Sequence, residues 1–130
     1  MKREVGLWID HRQAVIVILT DEGEETRLIK SNTKKLTRFH GASDQESSAE
    51  DMRDRQYADH LSQYYDGVIA CIRDAESIQI FGPGEAKGEL EKRLKSKGLG
   101  GHIVCIETVD KMTDRQIAAK VRQHFLKKQA

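Results

Sequence analysis

Apolar positions along the first 30 residues follow a strand-like pattern broken by short polar segments. Three β-branched, apolar runs lie at 5–9, 14–19 and 26–30, and the third is the weakest. The polar turns Asp10–Gln13 and Asp21–Glu24 separate them. Connections this short join antiparallel neighbours, so the pattern predicts a three-stranded meander.

The rest of the chain alternates helical stripes with short strands. Apolar spacing predicts helices at about 49–74 and 85–97 and a last helix that begins after Thr113, a candidate N-cap. Strands are predicted at 77–81 and 102–106. Late strand–helix–strand units require parallel pairing through right-handed crossovers. The order βββαβαβα therefore predicts an α/β fold: a ribonuclease-H-like mixed five-stranded sheet flanked by helices, in one domain over 1–130.

Each predicted helix carries one apolar stripe that we expect to face the core. The stripes are Tyr57, Leu61, Tyr64, Tyr65, Val68, Ile69 and Ile72, then Ala86, Leu90 and Leu94, and finally Ile117, Val121 and Phe125.

Residues 31–50 interrupt the pattern, because Leu36 and Phe39 are their only large apolar side chains. Loops of this length are usually functional or disordered. Charge is also sorted along the segment, with cations first and acids after them. They are Lys30, Lys34, Lys35, Arg38 and His40, followed by Asp44, Glu46, Glu50 and Asp51. We therefore expect a long, flexible loop at about 31–50.

The overall charge excludes binding to nucleic acid or membrane by bulk electrostatics alone. The 130 residues include 22 Lys and Arg against 21 Asp and Glu, a formal net charge of +1. Local basic sets remain, in the loop and along the last two helices. They could follow a phosphate backbone, or they could be solvated helix faces paired with acidic neighbours such as Glu89 and Glu91.

Two observations concern the compartment. The longest apolar stretch near the start, Ala14 to Leu19, is too short to cross a membrane, and its acidic surroundings do not suit a signal peptide. Cys71 and Cys105 lie in apolar segments without Cys-x-x-Cys spacing, which is typical of buried thiols in a reducing cytosol. We expect a cytoplasmic protein without a membrane partner.

The segment Ile80 to Lys87 has the most distinctive pattern, a strand followed by Gly82-Pro83-Gly84 and a helix start. Backbone N–H groups at such a point can hold an anion, helped by the helix dipole and by Lys87. The spacing is not that of a P-loop, and Glu85 would repel a phosphate. An anion-binding turn at Gly82 and Gly84 and a purely structural turn both remain open.

Acidic residues near the ends of the elements suggest an alternative chemistry. Asp10, Glu85 and Asp114 could hold two metal ions for phosphodiester cleavage if they converged on a ribonuclease-H-like sheet. Surface carboxylates are the simpler interpretation in a chain with 33% charged residues. The five histidines lack metal-ligand spacing and no nucleophile motif occurs, so we expect no cofactor and no resident metal.

Two motifs carry a family resemblance that covers essentially the whole chain. They are Leu7-Trp8-Ile9-Asp10-His11-Arg12 with the following Ala14-Val15-Ile16-Val17, and Ile80-Phe81-Gly82-Pro83-Gly84-Glu85-Ala86-Lys87-Gly88-Glu89-Leu90. The chain resembles the central domain of archaeal and eukaryotic class-1 release factors and of the rescue factor Pelota. More closely, it is similar to small bacterial release-factor-like proteins of the translational machinery.

In release factors of this type, the long loop carries a Gly-Gly-Gln tripeptide that promotes peptidyl-tRNA hydrolysis. The matching loop here reads Phe39-His40-Gly41-Ala42-Ser43-Asp44-Gln45, without that tripeptide. The resemblance therefore implies a non-hydrolytic, Pelota-like partner of the ribosome or tRNA, with DNA not expected and homo-oligomerisation left open. The residues expected to contact RNA are Lys34, Lys35 and Arg38 in the loop and Lys87, Arg93 and Lys97 near the Gly-Pro-Gly turn.

Overall fold

Three strands at the start of the chain form the predicted meander. The computed structural model describes residues 3–31 and 47–127, apart from the side chains of 47–58 and 127. The strands are β1 (Glu4–Ile9), β2 (Gln13–Thr20) and β3 (Gly23–Lys30), each antiparallel to the next. β3 begins earlier than the predicted 26–30, because its polar first residues pair through their backbone with the end of β2.

Helices and strands then alternate as the sequence predicts. The elements are α1 (Ser47–Ile72), β4 (Ser77–Gly82), α2 (Ala86–Ser96), a short 3₁₀ helix (Gly100–His102), β5 (Ile103–Thr108) and α3 (Asp114–Lys127). β4 pairs in parallel with both β1 and β5, and the strand order is β3-β2-β1-β4-β5. The predicted ribonuclease-H-like mixed five-stranded sheet is confirmed.

The two faces of the sheet carry separate apolar clusters. α1 and α2 cover one face, where all three predicted core residues of α2 are buried, together with Tyr64, Tyr65, Val68, Ile69 and Ile72 of α1. Leu61 is partly buried on this face, and the side chain of Tyr57 lies outside the described residues. α3 covers the other face with Ile117, Val121 and Phe125, packed against Trp8 and Phe81. The helical stripes were therefore predictable from their spacing.

Local backbone chemistry fixes the ends of two helices. Thr113 and Gln116 form a capping box at the start of α3: each side chain accepts a hydrogen bond from the other's backbone N–H, at 3.2 and 2.9 Å. α2 ends in a Schellman motif, with Gly98 at φ +79° and the Leu99 N–H donating to the Leu94 carbonyl at 2.9 Å. The predicted N-cap and the glycine terminator are both confirmed.

The predicted loop at 31–50 is too long at both ends. Helix α1 begins at Ser47, because the helical backbone starts before the first strongly apolar residue of the stripe. At the other end Ser31 is buried, and its N–H donates to the Arg12 carbonyl at 2.9 Å. Residues 32–46 lie outside the described part of the chain.

The cysteines also differ from the expectation of buried thiols. Cys71 and Cys105 are free and only half-buried. Cys71 lies in the last turn of α1, with its Sγ 3.8 Å from Arg27 Nη1, and Cys105 lies on β5, which among the described strands pairs only with β4. Among the described helices, none is both long and apolar enough to cross a membrane.

One end of the sheet gathers most of the turns of interest. The strands β1, β4 and β5 all finish there, so we call it the carboxyl end of the sheet. The Asp10–Gln13 turn, Ser31 and the start of α2 lie at the same end. The 26 residues of α1 span about 39 Å, whereas a six-residue strand spans about 20 Å. Helix α1 is therefore longer than the sheet it crosses.

Candidate RNA-binding surface

Asp10 holds the first turn of the carboxyl end in place. Its Oδ1 accepts backbone hydrogen bonds from Arg12 and Gln13, both at 2.8 Å, and its own carbonyl accepts the Tyr64 hydroxyl at 2.9 Å. Burial, followed by the nearby charges of Asp10 and Tyr65, raises the pKa of Tyr64, so this hydroxyl stays a donor. The Asp10 carboxylate thus has a structural role in the hairpin turn.

The Gly82-Pro83-Gly84 turn has a packing reason for its first glycine. A Cβ built on Gly82 would lie 2.1 Å from the Ile9 carbonyl oxygen, so only glycine fits here. The Gly82 carbonyl accepts the Val109 N–H at 3.0 Å, which ties the turn to the segment after β5. In the part of the chain that the structure describes, no atom lies within 4 Å of a Cβ built on Gly84. The structural interpretation of this turn therefore has direct support.

The three carboxylates of the nuclease alternative share one end of the sheet without forming a metal site. Asp10 lies in the first turn, Glu85 directly precedes α2, and Asp114 is the first residue of α3. Among the residues that the structure describes, no three His, Cys, Asp or Glu side chains are placed to hold a metal ion. The Asp10 carboxylate instead accepts its hydrogen bonds from the backbone, and the geometry gives two-metal cleavage no support.

A polar contact that the sequence did not reveal joins three elements near this end. Glu89 Oε1 accepts the Tyr65 hydroxyl at 2.5 Å and lies 3.0 Å from His11 Nε2. Partial burial raises the pKa of Glu89, but hydrogen bonds from Tyr65 and His11 outweigh it, and the pKa is lowered overall. Glu89 therefore links α1 and α2 to the first turn as a carboxylate. The residues next to Glu89 in the sequence give no indication that it pairs with Tyr65 and His11.

The predicted RNA-contacting residues fall into three groups. Lys34, Lys35 and Arg38 lie outside the described residues. Lys87 lies in the first turn of α2, where its ammonium group donates to the Gly84 carbonyl. It is therefore placed at the carboxyl end of the sheet, the same end at which Ser31 leads into the segment 32–46.

Arg93 and Lys97 lie at the far end of α2 and contact an acidic partner there. Arg93 Nε and Nη2 donate to the two carboxylate oxygens of Asp66, at 2.8 and 3.1 Å. Lys97 Nζ lies 3.6 Å from Asp66 Oδ1. Arg93 is about 9 Å along the helix from Lys87, and Lys97 about 15 Å. The three predicted cations that the structure describes, Lys87, Arg93 and Lys97, are thus spread along α2.

Cations of α3 are also paired. Lys120 Nζ lies 3.0 Å from Glu107 and 5.6 Å from the centre of the Phe81 ring, and Arg122 Nε lies 3.1 Å from Glu24. These pairs join the helix to both edge strands of the sheet. The simpler interpretation of the basic helices expected pairs within one helix, and Lys95 and Glu91 of α2 form such a pair at 3.1 Å, whereas the acidic partners of Lys120 and Arg122 come from strands.

Comparison with solved structures identifies the architecture. Pelota from Archaeoglobus fulgidus aligns over 97% of this chain with a TM-score of 0.58 and 16% identity, and Pelota from Thermoplasma acidophilum over 97% with 0.54 and 13%. The archaeal translation termination factor aRF1 aligns over 98% with 0.52 and 10%. The chain has a Pelota/aRF1-like domain fold. The match spans 32% of each Pelota chain and 40% of aRF1, so the chain corresponds to about a third of these proteins.

Structural comparison shows the Pelota/aRF1-like fold, whereas comparison of the whole sequence finds no match. No protein-family model matches the sequence, and no curated protein is significantly similar to it. The TM-scores show a shared Pelota/aRF1-like architecture. Identities of 10–16% do not extend that likeness to a shared activity.

Proposed function

We propose that this protein is a non-catalytic, cytoplasmic component of translation that binds the ribosome or tRNA. The observation that carries the proposal is the Pelota/aRF1-like fold, which extends over almost the whole chain. One of the proteins with this fold is described as a translation termination factor. The family resemblance of the sequence motifs around Asp10 and Gly82 supports the same role. The near-neutral net charge of +1 is consistent with directed contact by one face.

The RNA-binding face that we propose lies at the carboxyl end of the sheet. Lys34, Lys35 and Arg38 come within eight positions of Ser31, which is fixed at that end by its hydrogen bond to Arg12. Lys87 is at the same end, in the first turn of α2. Helix α1, which follows the segment 32–46 in the chain, is longer than the sheet.

The same segment supports a role without hydrolysis. Paired glycines would let the backbone and a glutamine approach an ester closely, whereas Ala42, Ser43 and Asp44 add side chains and a negative charge before Gln45. A carboxylate beside the scissile ester would also oppose the developing negative charge of the oxyanion. Binding without peptide release is therefore the activity that we propose.

Charge reversal in the loop tests the proposed face. In Lys34→Glu/Lys35→Glu, we expect the affinity for ribosomes at low salt to fall by about tenfold or more, because two phosphate contacts are lost. The slope of log K against log salt should become shallower by about 0.7 to 0.9 for each contact. Fluorescence anisotropy of labelled protein titrated with purified ribosomes measures both quantities.

The matched control is Arg27→Glu/Arg122→Glu, which changes the net charge equally at two exposed positions, in the middle of β3 and in the second half of α3, away from the carboxyl end of the sheet. We expect this variant to weaken binding by less than about threefold, through bulk charge alone. Equal losses in the two variants would show that the loop cations make no directed contact and would contradict the proposed face.

A further inference from the structure

The carboxylate of Asp66 binds the side chain of Arg93 on α2 in the place where a phosphate group could bind it. Arg93 meets it through two parallel N–H donors, on one oxygen each, at 2.8 and 3.1 Å. This fork geometry is the one that arginine also uses for the oxygens of a phosphate group. Lys97 Nζ approaches the same carboxylate at 3.6 Å, so two cations share a single anion.

A third cation borders the same place. A surface cavity of about 370 Å³ is lined by Asp66, Arg73, Lys97 and three apolar residues of the neighbouring segments. Among the described residues, the guanidinium group of Arg73 makes no hydrogen bond or ion pair. Two cations therefore contact the Asp66 carboxylate, and Arg73 borders the open cavity beside it.

We propose that Asp66 is an internal competitor for an RNA phosphate at Arg93, Lys97 and Arg73. This inference rests on the proposed function and adds a second contact surface, at the end of α2 opposite Lys87. In the free protein the carboxylate satisfies Arg93. When RNA binds, a phosphate must either displace the Asp66 carboxylate from Arg93 or lie beside it and be repelled by its negative charge. In both cases Asp66 lowers the affinity for RNA.

The exposure of the pair makes such exchange feasible. The side chains of Arg93 and Asp66 are 32% and 46% exposed, and that of Lys97 is 45% exposed. Ion pairs this accessible contribute little to stability, because water competes for both charges. The hydrogen bonds from Arg93, aided by Lys97, lower the pKa of Asp66, so the competitor is fully ionised at neutral pH.

A structural role alone makes a different prediction. Cations at the last turn of α2 also complement the negative end of the helix dipole, and an ion pair between α1 and α2 holds the helices together. If that were their whole role, neutralising Asp66 would change stability without a specific change in RNA affinity. The two roles are therefore separable by a binding measurement.

The test compares Asp66→Asn with Asp21→Asn, which makes the same charge change at an exposed turn. The probe is a fluorescein-labelled single-stranded RNA of about 20 nucleotides, with the affinity followed over a salt series. We expect Asp66→Asn to bind about fivefold more tightly than Asp21→Asn, with a salt slope steeper by about 0.7 for one added contact. Adding Arg93→Met to Asp66→Asn should abolish the gain, and thermal melting checks that each variant is folded.

Equal affinities of Asp66→Asn and Asp21→Asn would overturn the competitor role. So would a gain that survives Arg93→Met, since the freed guanidinium group would then not be the RNA contact. The same RNA measurement separates this inference from the proposed function: if the protein failed to bind ribosomes, an Arg93-dependent gain with the oligonucleotide would still support the phosphate site.

Discussion

Replacing Gly82 with alanine is expected to destabilise the protein by about 3 kcal/mol or more, enough to prevent folding of a marginally stable domain. The new Cβ would lie 2.1 Å from the carbonyl oxygen of Ile9 and 3.2 Å from its carbonyl carbon. Both atoms belong to the backbone of β1, which pairs with β2 and β4 and has no freedom to move aside. Urea unfolding followed by circular dichroism measures the loss.

Gly84 provides the matched control in the same turn. No atom of the described residues lies within 4 Å of a Cβ at this position, and its φ is not in the left-handed region. We therefore expect Gly84→Ala to change the free energy of unfolding by less than about 0.5 kcal/mol. A Gly82→Ala protein as stable as Gly84→Ala would refute the close approach of β4 to Ile9.

Gly6→Ala is expected to destabilise the protein by about 2 kcal/mol at the contact between the sheet and α3. The Cβ would lie 2.4 Å from Val121 Cγ2 and 2.9 Å from Gln79 Oε1. Val121 is fully buried and β-branched, so its side chain has few alternative rotamers. Gln79 is also buried, and within the described part of the chain its side-chain oxygen has no hydrogen-bond partner, so crowding it further is unfavourable.

Val121→Ala in the Gly6→Ala background tests the mechanism. Alone, Val121→Ala should cost about 2 kcal/mol by leaving a cavity. In the double variant, the new methyl group at position 6 occupies the space that the Val121 methyl groups leave, so the clash and the cavity both become smaller. We expect the double variant to be more stable than the sum of the single losses predicts, by about 1 kcal/mol or more. Additive losses would show that Gly6 and Val121 are not in direct contact.

Periodicity along the chain was sufficient for the fold but not for its polar contacts. The apolar stripes of α2 and α3 gave their buried faces directly, and the capping residue Thr113 was recognisable from its type and place. The polar strand β3 was predicted too short, because its backbone pairs with β2 without apolar side chains. Helix α1 likewise begins two residues before the predicted start at 49, at Ser47.

The candidate site was harder to predict because its partners are distant in sequence. Arg93 was expected to be available for RNA, yet its ion pair with Asp66 joins residues 27 positions apart. Gly82 suggested an anion site, whereas its requirement for glycine comes from Ile9, on a neighbouring strand. His11 and Glu89 are 78 positions apart and were unrelated in the sequence pattern. Such pairs depend on how the strands, turns and helices pack together, which periodicity alone does not specify.

Sedimentation of the purified wild-type protein with purified ribosomes through a sucrose cushion tests the central claim most directly. We expect the protein to pellet with ribosomes at about 50 mM salt and to be largely released at about 200 mM, since phosphate contacts weaken steeply with salt. Protein that remains entirely in the supernatant at about 50 mM salt, with ribosomes in excess, would contradict a role as a ribosome-binding component of translation.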